Sequence, residues 1–237
     1  MTPEEMQRRV LYRDALMLVI DKPAGLAVHR GPKGGVSLED FFDALRYGLP
    51  RKPSLAHRLD RDTSGCLVLG RHRKALAELG KLFKRGDVGK TYWAVVEGGP
   101  DADEGRIDLP LGRLDDKRGW WMKPDPKGQS ASTTWKVLGR GKNESWLALE
   151  PLTGRTHQLR VHCAAMGWPV VGDNIYGNAP RTGGPVLHLH AREVVVPLYK
   201  NKDPIRVIAP VPEYMRARLE VCGWQEAAPR QTVKASP

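Results

Sequence analysis

The amino-acid sequence predicts an α+β fold, a mixed sheet accompanied by a few helices, and three observations carry that expectation. Segments rich in β-branched and aromatic residues recur through the middle of the chain, namely TYWAVVEG (91–98), ASTTWKVLG (131–139) and ESWLALEPL (144–152), separated by Gly, Pro and Lys clusters. Apolar residues at helical spacing are confined to a few short stretches, most of them marked by a cap or a Gly stop. At 237 residues and 41% hydrophobic content the length fits one domain with a core of its own. No internal repeat divides the chain. The expected domain is 1–224, followed by the polar tail QEAAPRQTVKASP (225–237), which lacks a hydrophobic period and is expected to be disordered.

Taken in order, VLYRDALMLVIDKPAGLAVH (10–29) reads as two or three strands with a tight turn at Pro23–Gly25. Ser37-Leu38-Glu39-Asp40 has capping-box form, and Phe41, Phe42 and Leu45 supply the apolar stripe of a helix behind it. Pro50 and Pro53 place 47–56 in a loop. CLVLG (66–70) is a run short enough for a buried strand. Leu76, Leu79, Leu82 and Phe83 make Lys74 to Phe83 helical, with Gly86 placed to end it. RTHQLRVHCAAMG (155–167) is helical with Gly167 as its stop, VLHLHAREVVVP (186–197) has a strand pattern, and EYMRARLEVCG (213–223) makes a last helix.

Charge and cysteine usage narrow the partner and exclude several classes. Lys and Arg number 38 against 27 Asp and Glu, a formal charge of +11. Such an excess favours RNA or DNA, because phosphate neutralisation releases counterions. Cys66, Cys163 and Cys222 are far apart and form no CxxC pair, so neither a zinc ribbon nor a disulfide framework is indicated. Free thiols suit a reducing cytosol. MTPEEMQRRV lacks the apolar core of a signal peptide, and no apolar run approaches the ~20 residues needed to cross a bilayer. The expectation is a soluble cytoplasmic protein, monomeric, with no membrane contact.

Between the Pro-bearing loop and the buried strand lies a dense polar cluster, His57-Arg58-Leu59-Asp60-Arg61-Asp62-Thr63-Ser64-Gly65. An active-site loop held by a rigid strand has this composition, and so does an ordinary salt-bridged loop. Family resemblance separates the two. HRLDRDTSG resembles the signature loop of the RluA family of pseudouridine synthases throughout its length. Gly89-Lys90-Thr91-Tyr92 is similar to that family's K-x-Y strand, and the run from Leu152 to His162, LTGRTHQLRVH, is similar to its G-R-T-H-Q-[IL]-R-x-H motif. Asp21-Lys22-Pro23-Ala24-Gly25 and Gly172-Asp173-Asn174-Ile175-Tyr176-Gly177 also look like family segments, so the likeness spans roughly residues 16 to 197. His57 stands where the RsuA-like branch usually has Gly, which favours the RluA side. The resemblance implies a mainly antiparallel central sheet flanked by helices and loops. Many members of the family also carry an N-terminal RNA-binding module of the S4 type; here the catalytic sequence starts almost at once, so the expectation is a catalytic domain that finds its RNA alone or with its short ends.

Pseudouridine formation breaks the C1′–N1 bond of uridine, turns the uracil and rejoins it through C5. Nothing is oxidised and nothing is added, so no cofactor is expected, in keeping with the absence of a GxGxxG or P-loop motif. By resemblance, Asp60 is the carboxylate that either attacks C1′ or removes the 2′ proton; Asp62 is its neighbouring rival. Arg155 is the implied guanidinium partner, since an adjacent cation keeps a desolvated carboxylate ionised and an Arg fork can hold it bidentately. Tyr92 is placed by the same resemblance against the uracil ring, stacking on it or assisting C5 deprotonation. The target base must be extruded, at a cost of a few kcal/mol, and Arg58 is the expected wedge. His57, Arg61, Lys90, His157 and Arg160 are the expected RNA contacts. Two other readings stay open, an inert RNA-binding protein or chaperone on the same scaffold, and a metal-dependent hydrolase built on His157, His162, His188 and His190. No metal site is expected, because His157 and His162 would point in different directions on a helix. Trp120 and Trp121 are expected to be a sheet-packing pair rather than a base-stacking platform.

Overall fold

A computed structural model describes residues 1–31, 34–115 and 120–226. The elements are α1 (Pro3–Arg8), β1 (Val10–Arg13), β2 (Met17–Lys22), a 3₁₀ helix η1 (Leu38–Leu45), β3 (Ser54–Leu55), β4 (Ser64–Gly70), α2 (Arg73–Arg85) and β5 (Gly89–Glu97). They continue through β6 (Glu104–Asp108), β7 (Leu111–Arg113), β8 (Met122–Pro124), β9 (Ser132–Arg140), β10 (Glu144–Pro151), α3 (Gln158–Ala165), β11 (Leu189–Val196), β12 (Ile205–Ile208) and α4 (Glu213–Val221). Ten strands form one sheet in the order β1-β2-β4-β11-β5-β10-β9-β6, with β12 on β11 and β3 on β4. Of its pairings only β4 with β11 is parallel. This is the mixed, mainly antiparallel α+β architecture expected.

Most long apolar segments became the elements their periodicity indicated. β4 is buried along its whole length, as a continuous apolar run requires. Helix α2 ends where Gly86 adopts a left-handed conformation (φ 82°), and its amide caps the carbonyls of Leu82 and Phe83. The Ser37 capping box forms, but the turn behind it is 3₁₀ rather than α, with Leu38, Phe42 and Leu45 buried. The 155–167 helix starts only at Gln158, because His157 takes a left-handed conformation (φ 54°) at the N-cap. Residues 26–29 add no third strand, and β3 interrupts the expected 47–56 loop. Not anticipated were α1, whose Thr2–Glu5 capping box sits at the very start, and the short strands β6, β7, β8 and β12. Strands of three to five residues carry too little alternation to be read from sequence. The expected tail begins at residue 225 and lies, from 227 onward, outside the described residues.

Apolar packing divides along the sheet. Leu18, Ile20, Leu67 and Leu69 pack with Met6, Phe42 and Leu79 in one cluster. Ala94, Leu147 and Leu149 pack with Leu159, Cys163 and Trp168 in a second, which fixes α3 against β5 and β10. Tyr92 touches both clusters, so the strand position that carries it is held from either side.

Trp120 and Trp121 do not pack within the sheet. They precede β8, their rings meet edge-on at 5.6 Å, and Trp120 remains 57% exposed. Two adjacent residues cannot alternate across a strand they do not belong to.

Candidate active site

A cavity of about 700 Å³ opens where the 57–65 loop, the end of α2, β5 and the 151–160 segment converge. It is lined by Asp60, Tyr92, Arg155, Arg58, Lys90 and His157, together with Lys84 and Arg85 from the last turn of α2. Asp60 is the one acid among the described residues that line it.

The loop bearing Asp60 is pinned at both ends. At its start, Ala56 N–H donates to the Val68 carbonyl at 3.0 Å, and Val68 N–H donates to His57 Nε2 at 3.0 Å. At its apex Leu59 is 6% exposed, and Thr63 N–H closes a turn onto the Asp60 carbonyl at 3.3 Å. From beneath, the fully buried Lys22 ammonium donates to the carbonyls of Pro23, Leu26 and Arg61 at 2.7–2.8 Å. At its end Gly65 has φ 104° and lies so close to β11 that a Cβ would come within 2.3 Å of the Ala191 carbonyl oxygen. Any other residue there would push the parallel pairing apart. The loop is therefore rigid where it meets the cavity, as positioned chemistry demands.

The two acids of the loop face different ways. Asp60 lines the cavity with Tyr92, whereas Asp62 lines a separate one with Asp21, Ser64 and Tyr214.

Several expected contacts differ in detail. Arg155 shares the cavity with Asp60, but its Nε donates to the Ser130 carbonyl at 3.0 Å rather than to the carboxylate. The nearest ionisable partner of Asp60 is instead His157, with Nε2 3.9 Å from Oδ2. Arg160 is not free for phosphate. It is 3% exposed and forks onto Asp173 with two bonds of 2.7 Å. Arg61 is exposed but turned away from the cavity, donating to the Gly25 carbonyl at 3.1 Å. His57 is stacked on Phe83 at 4.4 Å with Nε2 engaged by Val68, so it holds the loop instead of reaching outward. Arg58 sits exposed at the rim, 3.4 Å from the Thr156 hydroxyl, which suits a wedge. Lys90 lines the wall, its pKa lowered by burial.

Sequence reasoning gave no site role to Lys84, Arg85 or Tyr176, and placed Trp120 in a sheet. The two basic residues were hidden in an ordinary helical last turn. Tyr176 hydrogen-bonds His157 Nδ1 at 2.8 Å, and Trp120 approaches the same imidazole edge-on at 5.7 Å. Neither spacing is visible along the chain, since both pairs are distant in sequence.

Burial pushes the His57 pKa down to about 3, with the Lys90 charge adding to the effect. The fold thus holds the neutral ring, whose lone pair accepts from Val68. Its contribution is complete above the unfolded-state value of about 6.5 and is lost as pH falls from there toward 3. The urea midpoint is expected to drop between pH 7.5 and pH 5, and to drop less in His57→Gln, whose amide does not titrate. Equal losses in both proteins would remove His57 from the account.

The histidines considered for a metal are each occupied separately. His162 bonds the Thr133 hydroxyl and Leu109 carbonyl, His188 the Val186 carbonyl, and His190 the Ser64 hydroxyl. Among the described residues no group of three His, Cys, Asp or Glu is arranged to hold a metal ion.

A lone carboxylate in a cation-rimmed cavity, backed by a tyrosine ring and mounted on a mainly antiparallel sheet, defines an enzyme that works on a polyanionic nucleic acid. Comparison with known proteins gives the class its name. The family model described as RNA pseudouridylate synthase matches residues 16–165. A Zymomonas mobilis protein named as an uncharacterized RNA pseudouridine synthase is 45% identical over 210 residues, covering 88% of this chain and 95% of its own. Ribosomal large subunit pseudouridine synthase C of Vibrio cholerae is 32% identical over 91% of this chain and 69% of its own. The solved structure of human RNA pseudouridylate synthase domain containing 4 superposes with a TM-score of 0.79 at 26% identity, covering 95% of this chain and 97% of the other. The chain belongs to the RNA pseudouridine synthase family, on its RluA side, and is an isomerase of uridine in RNA.

Proposed function

We propose that Asp60 is the carboxylate with which this synthase isomerises uridines of large-subunit ribosomal RNA. The observation that carries the assignment is that Asp60 is the one acid among the described lining residues of a cavity otherwise rimmed by cations. Arg58, Lys84, Arg85, Lys90 and Arg155 are spaced around that carboxylate as phosphate contacts, and Arg58 is the group that fills the gap left by the extruded base. Arg155 keeps its Nη donors beside the cavity while its Nε–H holds the Ser130 carbonyl.

Burial, with the Asp60 charge second, raises the Tyr92 pKa far above neutrality. Tyr92 is therefore a neutral phenol at pH 7 and acts by stacking on the uracil rather than as the base at C5. Residues 1–224 act as one catalytic domain, supported by a single sheet that holds strands from Val10 to Ile208. No helix among the described residues is long and apolar enough to cross a membrane. A monomer working in the cytoplasm fits the substrate.

The ribosomal assignment rests on the names of the relatives from Vibrio and Haemophilus, which are large-subunit synthases. Pseudouridine mapping in cells with and without the gene should show loss at one or more large-subunit positions. Loss confined to transfer RNA would overturn it. Affinity for a cognate RNA stem–loop is expected to fall at least about tenfold between 50 and 200 mM salt, and Lys84→Ala is expected to reduce the log–log salt slope by about 0.7–0.9. An unchanged slope would remove Lys84 from the phosphate contacts.

A further inference from the structure

The imidazole nearest Asp60 belongs to a chain of hydrogen bonds that the reaction as described does not use. Met122 N–H, at the start of β8, donates to the Tyr176 hydroxyl oxygen at 2.9 Å. The same hydroxyl lies 2.8 Å from His157 Nδ1. On the other side of the ring, Nε2 lies 3.9 Å from Asp60 Oδ2.

A phenol hydroxyl carries one proton, and an amide N–H can only donate. With Met122 donating to the oxygen, the arrangement that satisfies every partner has the Tyr176 proton donated to Nδ1. The imidazole then carries its own proton on Nε2, the nitrogen that faces Asp60. Burial supports both states, since it lowers the His157 pKa, against the opposing pull of Asp60, and raises that of Tyr176.

Backbone geometry points the same way. His157 is one of only two non-glycine residues with positive φ among the described residues, the other being Tyr47. A β-carbon residue held at φ 54° carries strain that surrounding contacts must offset, and such positions gather at functional sites. Here the contacts are the Tyr176 hydroxyl and the edge of Trp120, 5.7 Å away. Tyr176 is in turn fixed by Asp173, whose Oδ1 accepts from the amides of Ile175 and Tyr176 at 2.9 and 3.0 Å.

We propose that Tyr176 and His157 are positioning residues for Asp60: the Tyr176 hydroxyl locks His157 in the Nε2–H tautomer, and that N–H orients the carboxylate toward the ribose. Contacts of this length tighten when substrate closes over a site. Neither residue forms or breaks a bond with uridine. The inference rests on Asp60 being the reacting carboxylate, but the tautomer itself does not.

The test has two readouts. Long-range ¹H–¹⁵N spectra of protein labelled at histidine nitrogen, with the His157 signals assigned by their loss in His157→Gln, should show a protonated Nε2 and a bare Nδ1 at pH 7.5. A protonated Nδ1, or an imidazolium, would overturn the proposal without any assay of activity. Kinetically, Tyr176→Phe is expected to lower kcat about 10- to 100-fold, the scale of a small misplacement of a reacting group, with KM within about threefold. An unchanged kcat, or a loss seen in KM alone, would sink the positioning role. If Asp60→Asn keeps full activity while the tautomer is found as stated, the failure lies with the assignment of Asp60 and not with the Tyr176–His157 pair.

Discussion

Replacing Asp60 by Asn is expected to lower the rate of pseudouridine formation by at least about 10³-fold while leaving RNA affinity within about threefold. The substitution keeps the size of the side chain and removes only its charge and basicity. In the cavity that negative charge is unique among the described lining residues, so no neighbour can take over the role proposed for it. Asp62 cannot substitute, because it lines the other cavity, and Asp62→Asn is expected to change the rate by less than about threefold. A tritium-release or mass-based assay of a cognate RNA measures both variants. An Asp60→Asn protein that still isomerises uridine would end the assignment.

Replacing Arg160 by Met is expected to destabilise the fold by about 3–5 kcal/mol, a drop of roughly 6–20 °C in Tm. The reason is the carboxylate left behind. Asp173 is 1% exposed, and with the guanidinium gone its charge would be stranded in the interior. Burial raises the Asp173 pKa, yet the bonds from Arg160 and from the amides of Tyr176 and Ile175 more than offset it, so the folded-state value lies below the ordinary one. The double variant Arg160→Met with Asp173→Asn should recover part of the loss, because both charges are removed while the Asn oxygen still accepts from the two amides. Thermal and urea unfolding of the single and double variants decide the matter. If Arg160 were a phosphate contact, its replacement would instead weaken RNA binding and leave stability within about 0.5 kcal/mol.

The loop HRLDRDTSG could be matched to the family's signature, and Asp60, Tyr92 and Arg155, which line one cavity, could be picked out, because they lie in contiguous motifs. The fold class was equally legible, since β-branched segments of eight or nine residues and an amphipathic 13-residue helix carry periodicity enough to declare themselves. The short strands β6 to β8 were not legible, because three to five residues cannot distinguish a strand from a loop. Formal charge was also a poor guide to exposure. Arg58 and Arg160 look alike in the sequence, yet one stands in solvent and the other is buried against an acid 13 residues away.

By itself, then, the sequence determined the family, the mixed sheet with few helices, and which side chains have the right chemistry for the reaction. Tertiary structure alone decided which acid of the 57–65 loop shares a cavity with Tyr92, that His157 and not Arg155 stands nearest to it, and that His57 is engaged by Val68 and Arg160 by Asp173. The physical reason is that residue type and spacing fix local conformation, whereas partner choice depends on desolvation and on contacts between segments such as 60 and 157, which meet only when the sheet has closed.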